Sequence, residues 1–310
     1  MGTSFVTTGY RAGAAVATGL PRPVADGVAS GLARIAASVS PERHLLVERN
    51  LRRILGEGVP QHRIEQLVVE TFASYARYWV DSFRLPQMSV QAIDEGMNFV
   101  GVDHIWRAVD AGVGPILVLP HLGGWEWAGF WLSLVGGFDV TAVVEPLEPP
   151  DLFDFFTAFR EELGMHIVAL GPDAGAAVLR AINEAHVLCL LADRDIEGTG
   201  IEVDFFGERT TLPAGPATLA LRTGAPLLPT ACYFKPTGGI QCLVEPPVPA
   251  RREAKRLRED VTRITQDLAR ALEGLIRRAP EQWHMQQPNW PSDYDALEAI
   301  GKPHPRPGQP

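Results

Sequence analysis

Residues 113–126 read Val-Gly-Pro-Ile-Leu-Val-Leu-Pro-His-Leu-Gly-Gly-Trp-Glu. An apolar run bounded by prolines, then two glycines and a helical stretch, is the pattern of a buried strand giving way to a helix. Working outward, the same alternation recurs. Further apolar runs lie at Val140–Val144, Ile167–Leu170, Val187–Leu191, Pro226–Phe234 and Ile240–Val244, with helical stretches at about 124–135, 151–163, 173–184 and 213–223. Near-continuous apolar strands alternating with helices predict an α/β fold, a largely parallel central sheet flanked by helices on both faces.

Upstream, the first hundred residues read as a helical extension. Residues 23–37 are rich in small residues, Ser40-Pro41 reads as an N-cap with proline at the first helical position, and residues 61–83 carry an apolar stripe from Ile64 to Trp79. Downstream, about 251–278 forms an amphipathic helix, and a proline-rich tail follows from Pro291. The expected organisation is therefore a helical region at 1–100, an α/β core at 101–290 continuous with it, and a tail at 291–310.

The 310 residues are 46% apolar and 21% charged, with net charge −9, the composition of a folded globular protein. Residues 1–60 hold seven arginines and four acids, +3, so the remainder sums to −12. A mildly basic helical region on an acidic body suits an anionic membrane surface. No stretch of about 18–20 apolar residues is free of charge and helix breakers, so no spanning helix is expected. Cys189, Cys232 and Cys242 are an odd number without CxxC spacing, against a disulfide framework. There is no GxGxxG after a strand, no GxxxxGK[ST], no HExxH and no paired zinc spacing, so neither a cofactor nor a metal is expected, and nucleic acid is not an expected partner.

The chemistry is expected just past the strand ends. At the first junction His121 stands where strand becomes helix, and Glu126 lies one turn into that helix. This pattern predicts a general base with a carboxylate orienting its imidazole. With no GxSxG elbow and no suitably placed cysteine, the nucleophile is expected to be a hydroxyl of the substrate. At the second junction, Asp193-Arg194-Asp195 follows the Val187–Leu191 run. His44, His62, His104, His166, His186 and His304 read as surface or packing residues, and His284 as a candidate site-lining residue.

Taken in order, His121-x4-Glu126, Asp193-Arg-Asp195, the Phe205-Phe-Gly207 turn, Pro213-Ala-Gly-Pro, Thr223-Gly-Ala-Pro-Leu-Leu-Pro229 and Gln282-Trp-His resemble the lipid A biosynthesis acyltransferase family over about residues 45–290. The chain is most similar to the actinobacterial branch, the phosphatidylinositol mannoside acyltransferases. The resemblance implies a glycerol-phosphate-acyltransferase-like fold and transfer of a fatty acyl group, usually palmitoyl, from the co-substrate acyl-CoA to a mannose 6-hydroxyl of a mannosylated phosphatidylinositol. It implies a peripheral enzyme on the cytoplasmic face of the plasma membrane. His121 is then the base and Glu126 its orienter, with backbone N–H groups near Gly123 and Gly124 receiving the oxyanion. Asp195, Arg160, Glu145, Arg194 and Asp193 are substrate-side candidates, Arg160 pairing with Asp195. Trp125, Trp127, Phe130 and Trp131 are candidates to line an acyl groove. The competing readings are an acyltransferase acting on a lipid A precursor, an acyl-CoA thioesterase and a non-catalytic lipid-binding protein.

Overall fold

In the computed structural model, residues 5–146 and 148–306 are described. The strands are β1 (Met97–Val100), β2 (Ile116–Leu119), β3 (Val140–Val144), β4 (Met165–Ala169), β5 (Val187–Leu191), β6 (Ile201–Phe205), β7 (Glu208–Leu212), β8 (Leu227–Phe234) and β9 (Ile240–Val244). The helices are α1 (Phe5–Gly19), α2 (Arg22–Val39), α3 (Pro41–Leu55), α4 (Gln61–Arg84), α5 (Val90–Gly96), α6 (Asp103–Asp110), α7 (Trp125–Leu134), α8 (Pro150–Glu162), α9 (Ala174–Asn183), α10 (Gly215–Thr223), α11 (Leu257–Arg277) and α12 (Pro291–Ala299). Seven strands form one sheet in the order β1-β9-β8-β2-β5-β3-β4, parallel except for the β8–β9 pair. All six apolar runs read from the sequence are strands of this sheet.

The sheet is apolar on both faces because helices cover both, as the continuous runs require. One core, with Ile116, Val118, Leu188 and Leu227 from the sheet and Ile264, Leu268 and Leu272 from α11, lies on one side. A second, with Leu117, Val140 and Leu228 meeting Trp127, Phe130 and Leu132 of α7, lies on the other. Successive residues of β2 thus point into different cores, following the two-residue period of a strand.

Several elements depart from the sequence reading. Met97–Val100 is an edge strand paired with β9, so the N-terminal region is not wholly helical. Residues 201–212 form a β6–β7 hairpin. Its two-residue turn places Phe206 and Gly207 at φ +52° and +77°, the left-handed pair that a tight hairpin needs. The Ser40 hydroxyl makes no cap bond, because Ser40 also closes α2 and its backbone N–H is committed to Ala36. The last long helix starts at Leu257, since the fully buried Asp260 carboxylate captures the N–H groups of Glu253 and Ala254 and holds that segment as a loop. Pro291–Ala299 is helix rather than tail. Asp293 in its first turn is fully buried and joined to Arg49 and Arg53 of α3, which ties the C-terminal segment to the N-terminal helices.

The face of α2 that meets the body is made of small side chains, Ala25, Ala33 and Ala37. Its larger apolar residues, Val24, Val28, Leu32, Ile35 and Val39, are exposed. Spacings of four, four, three and four put these five on one stripe.

Candidate active site

β2 and β5 are adjacent and parallel, with Leu119 opposite Leu191. Two residues past each of these lie His121 and Asp193, so the register alone brings them together. His121 Nδ1 lies 2.7 Å from Asp193 Oδ1, and its backbone N–H donates to Oδ2 at 2.9 Å. Trp283 Nε1 also donates to Oδ2, at 2.7 Å. The Asp193 carboxylate is fully buried while the imidazole is one-third exposed. Burial by itself would raise the carboxyl pKa, but the facing imidazole and the three N–H donors outweigh it, and Asp193 is held below its ordinary value. A carboxylate anchored on Nδ1 leaves Nε2 as the ring nitrogen facing outward.

The imidazole's carboxylate is therefore Asp193, not Glu126. Glu126 is buried and turned to Arg160 and Tyr78. Arg160 Nε contacts both carboxylate oxygens at 3.2 Å, Arg160 Nη2 bonds Oε1, and the Tyr78 hydroxyl donates to Oε1 at 3.2 Å. The physical reason lies in the loop between His121 and α7. Gly123 and Gly124 make a wide connection pinned to the neighbouring strand, so Glu126 enters the helix on a face directed at α4 and α8. Desolvation would lower the Arg160 pKa, but Glu126 more than offsets it, and the guanidinium stays charged. Tyr78 is pushed well above its ordinary value by burial and by Glu126.

The same loop corrects the oxyanion assignment. Gly123 N–H donates to Gln282 O and Gly124 N–H to Cys232 O, both at 2.9 Å, so neither is free for a substrate. Both positions need glycine for closeness. A Cβ on Gly123, at φ +63°, would stand 1.9 Å from Cys232 O, and one on Gly124 would stand 2.4 Å from Ile240 Cδ1.

Asp195 does not meet Arg160. It accepts from Gly198 N–H at 3.1 Å and Gly200 N–H at 2.8 Å, shaping the loop before β6. Asp193, expected on the substrate side, is instead behind the imidazole. Arg194 is half-buried beside these acids, and Glu145 is exposed just past β3.

A cavity of about 600 Å³, its open mouth included, lies between the sheet and α7. Leu117 and Leu119 of β2, Ala128, Gly129 and Leu132 of α7 and Met165 of β4 line it, with Glu126 and Arg160 as its charged members. Of the four aromatic candidates only Trp125 lines it, and the Trp125 ring stands edge-on to His121 at 5.7 Å. Trp127, Phe130 and Trp131 do not reach the cavity. Trp127 donates to Ile93 O, Phe130 is fully buried against Phe159, and Trp131 donates to Asp94 on the far side of the helix. The cysteines also line the cavity. Burial pushes the Cys189 thiol up to about 12 and raises Cys242 as well, which removes both as nucleophiles at neutral pH.

The C-terminal segment carries functional residues whose roles the sequence did not reveal. Trp283 bridges to Leu122, and His284 N–H donates to His121 O at 2.7 Å. Gln282 takes the Phe234 N–H at 2.7 Å, and Asn289 donates to Asp193 O at 2.8 Å. Residues 282–289 thus clamp the His121 loop from outside the sheet. Buried His284 is packed against Trp125 and Tyr78, with Nε2 2.9 Å from the Ser74 hydroxyl. Burial, then repulsion from His121, lowers its pKa to about 3, so it is neutral.

Against this geometry, the model of the bacterial lipid A biosynthesis acyltransferase family matches residues 4–292. The chain belongs to that family. It is 40% identical to the phosphatidylinositol mannoside acyltransferase of Mycolicibacterium smegmatis over 94% of each chain. Its identity to the Mycobacterium tuberculosis protein of the same name is 39%, over 92% of this chain and 88% of that one. A lipid A biosynthesis acyltransferase of Haemophilus influenzae is 25% identical over 76% of this chain and 72% of its own. Within the family the identity is higher to these mycobacterial members than to the Haemophilus protein, in line with the actinobacterial resemblance.

The pairing of Glu126 is open to a double-mutant cycle in urea unfolding. Glu126→Gln and Arg160→Met are expected to couple by about 0.5–3 kcal/mol, and Glu126→Gln with His121→Ala to be additive within about 0.5 kcal/mol. Strong coupling of Glu126 to His121 and none to Arg160 would reverse the assignment.

Proposed function

We propose that this acyltransferase moves a fatty acyl group, palmitoyl, from acyl-CoA to a mannose 6-hydroxyl of a phosphatidylinositol mannoside, with His121 as the general base. The observation that carries this reading is the His121–Asp193 pair beside an apolar cavity. The names of the mycobacterial relatives support the acceptor.

The chemistry follows from the pair. His121 Nε2 takes the hydroxyl proton as the sugar oxygen attacks the thioester carbonyl. Asp193 fixes the tautomer and stabilises the imidazolium that results. When the tetrahedral intermediate collapses, the carbon–sulfur bond breaks and the imidazolium returns its proton to the departing CoA thiolate. The apolar lining of the cavity is the place for the alkyl chain, and Trp125 forms the wall between chain and base. Glu126 acts at one remove, keeping Arg160 and Tyr78 fixed at the cavity wall.

The setting proposed is the cytoplasmic face of the plasma membrane, with peripheral attachment. No helix among the described residues is long and apolar enough to cross a membrane. The exposed stripe of α2 supplies an apolar face, and Arg34 of the same helix, like Arg11 of α1 and Arg43 of α3, is exposed without a carboxylate partner among the described residues. Apolar insertion flanked by arginines suits anionic lipid.

With palmitoyl-CoA and a phosphatidylinositol mannoside, the purified protein is expected to add the mass of one acyl group to the mannolipid. His121→Ala and Asp193→Asn should each lower the rate by about 10²–10⁴-fold. An undiminished gain in His121→Ala ends the proposed role of the imidazole. CoA release at full rate without acceptor identifies a thioesterase, and acylation of a lipid A precursor alone reassigns the acceptor.

Co-sedimentation with vesicles containing phosphatidylinositol tests the docking face. Leu32→Glu with Ile35→Glu should weaken binding at least about tenfold with the fold intact. Unchanged binding would place the contact elsewhere.

A further inference from the structure

The edge of the sheet opposite the active site gathers a second set of chemically capable side chains. Asp139 immediately precedes β3, His186 immediately precedes β5, and His166 lies near the start of β4. In the sequence these residues are far apart and unremarkable. The strand order β5-β3-β4 makes them neighbours. The Val187 N–H donates to Asp139 O at 2.7 Å, locking the first two backbones together, and His166 is registered against Thr141, two residues beyond Asp139 on the same face. One ligating atom from each of Asp139, His166 and His186 falls within 4.8 Å of the others. His166 Nε2 stands 3.7 Å from Asp139 Oδ1, and the two imidazole rings are 5.0 Å apart.

Two further observations distinguish this from an ordinary surface ion pair. The buried Thr141 hydroxyl lies 3.0 Å from His186 Nδ1, which fixes that ring and turns Nε2 towards solvent. A metal-bound histidine is commonly oriented through its other nitrogen in this way. Glu184 Oε2 is 3.9 Å from His186 Nε2, so a second carboxylate stands within reach. Among the described residues neither Asp139 nor Glu184 pairs with an arginine or lysine, leaving both free to balance a cation.

We propose that Asp139, His166 and His186 form a site for a divalent late first-row transition metal of the zinc class, with Glu184 or water as the fourth ligand. Two imidazoles and a carboxylate suit such an ion better than calcium or magnesium, which take oxygen. Tetrahedral coordination needs ligand atoms roughly 3.4 Å apart. His166 and Asp139 are 57% and 73% exposed, so both side chains have room to close that gap. The ion joins the starts of three adjacent strands, across the sheet from the reaction.

The test uses the full chain stripped with a chelator. Cobalt(II) absorption and zinc calorimetry should report one tight equivalent. Binding is expected to fall at least about tenfold in His166→Ala, His186→Ala and Asp139→Asn, and measurably in Thr141→Val. It should persist in His121→Ala, which separates this site from the opposite edge. Zinc should raise the melting temperature of the wild type and not that of His166→Ala. Because His166 is exposed, that variant keeps the test valid should His186→Ala misfold. The absence of a zinc equivalent in the wild type, or tight binding unchanged in His166→Ala, overturns the proposal.

Discussion

A carboxylate buried as completely as that of Asp193 is stable only when its charge is answered, and every answer here positions the site. One oxygen takes the imidazole Nδ1 of His121, and the other takes the His121 backbone N–H and the Trp283 indole. Its backbone carbonyl takes Asn289. The end of β2, the end of β5 and the C-terminal segment are thereby held at one point. Removing the charge would loosen all three, because a buried donor without its acceptor costs about 1–3 kcal/mol. The exposed part of the imidazole is the part left over for chemistry.

This arrangement divides labour between two acidic side chains. Asp193 holds the His121 imidazole, and Glu126 neutralises Arg160 inside the cavity wall. Both are buried and each serves a different cation or imidazole, so they are not interchangeable. The parallel sheet supplies the division. Strands β2 and β5 deliver one residue each to the same edge, while α7 carries its acid away towards α4 and α8.

Much of the fold was legible because unbroken apolar runs between helices have few other meanings. The elements missed were those without that signal. β1 has alternating exposure at the sheet edge, β6 and β7 form a hairpin outside the sheet, and α12 hides behind its proline. At the site, His121 was identifiable from its place at a strand end, and its partner was not. Nearness in sequence favoured Glu126, whereas the pairing depends on the Leu119–Leu191 register, which a single chain does not display. The equal two-residue offset of His121 and Asp193 from their strand ends was the available clue. Gly123 and Gly124 were expected to offer N–H groups to an oxyanion, but those groups are consumed by strand β8 and the C-terminal clamp. Trp283 reaches Asp193 across 90 residues and Gln282 reaches Phe234 across 48, and the Gln282-Trp-His motif by itself names neither partner.

In the proposed mechanism Asp193 holds His121 with its proton on Nδ1, leaving the Nε2 lone pair for the acceptor hydroxyl. Nitrogen-15 NMR of labelled histidine, with the His121 resonances assigned by substitution, reads the tautomer directly. At a pH where the ring is neutral, a protonated Nδ1 and a bare Nε2 are expected, with loss of that preference in Asp193→Asn. A proton on Nε2 in the wild type, or a tautomer indifferent to Asp193→Asn, would contradict it.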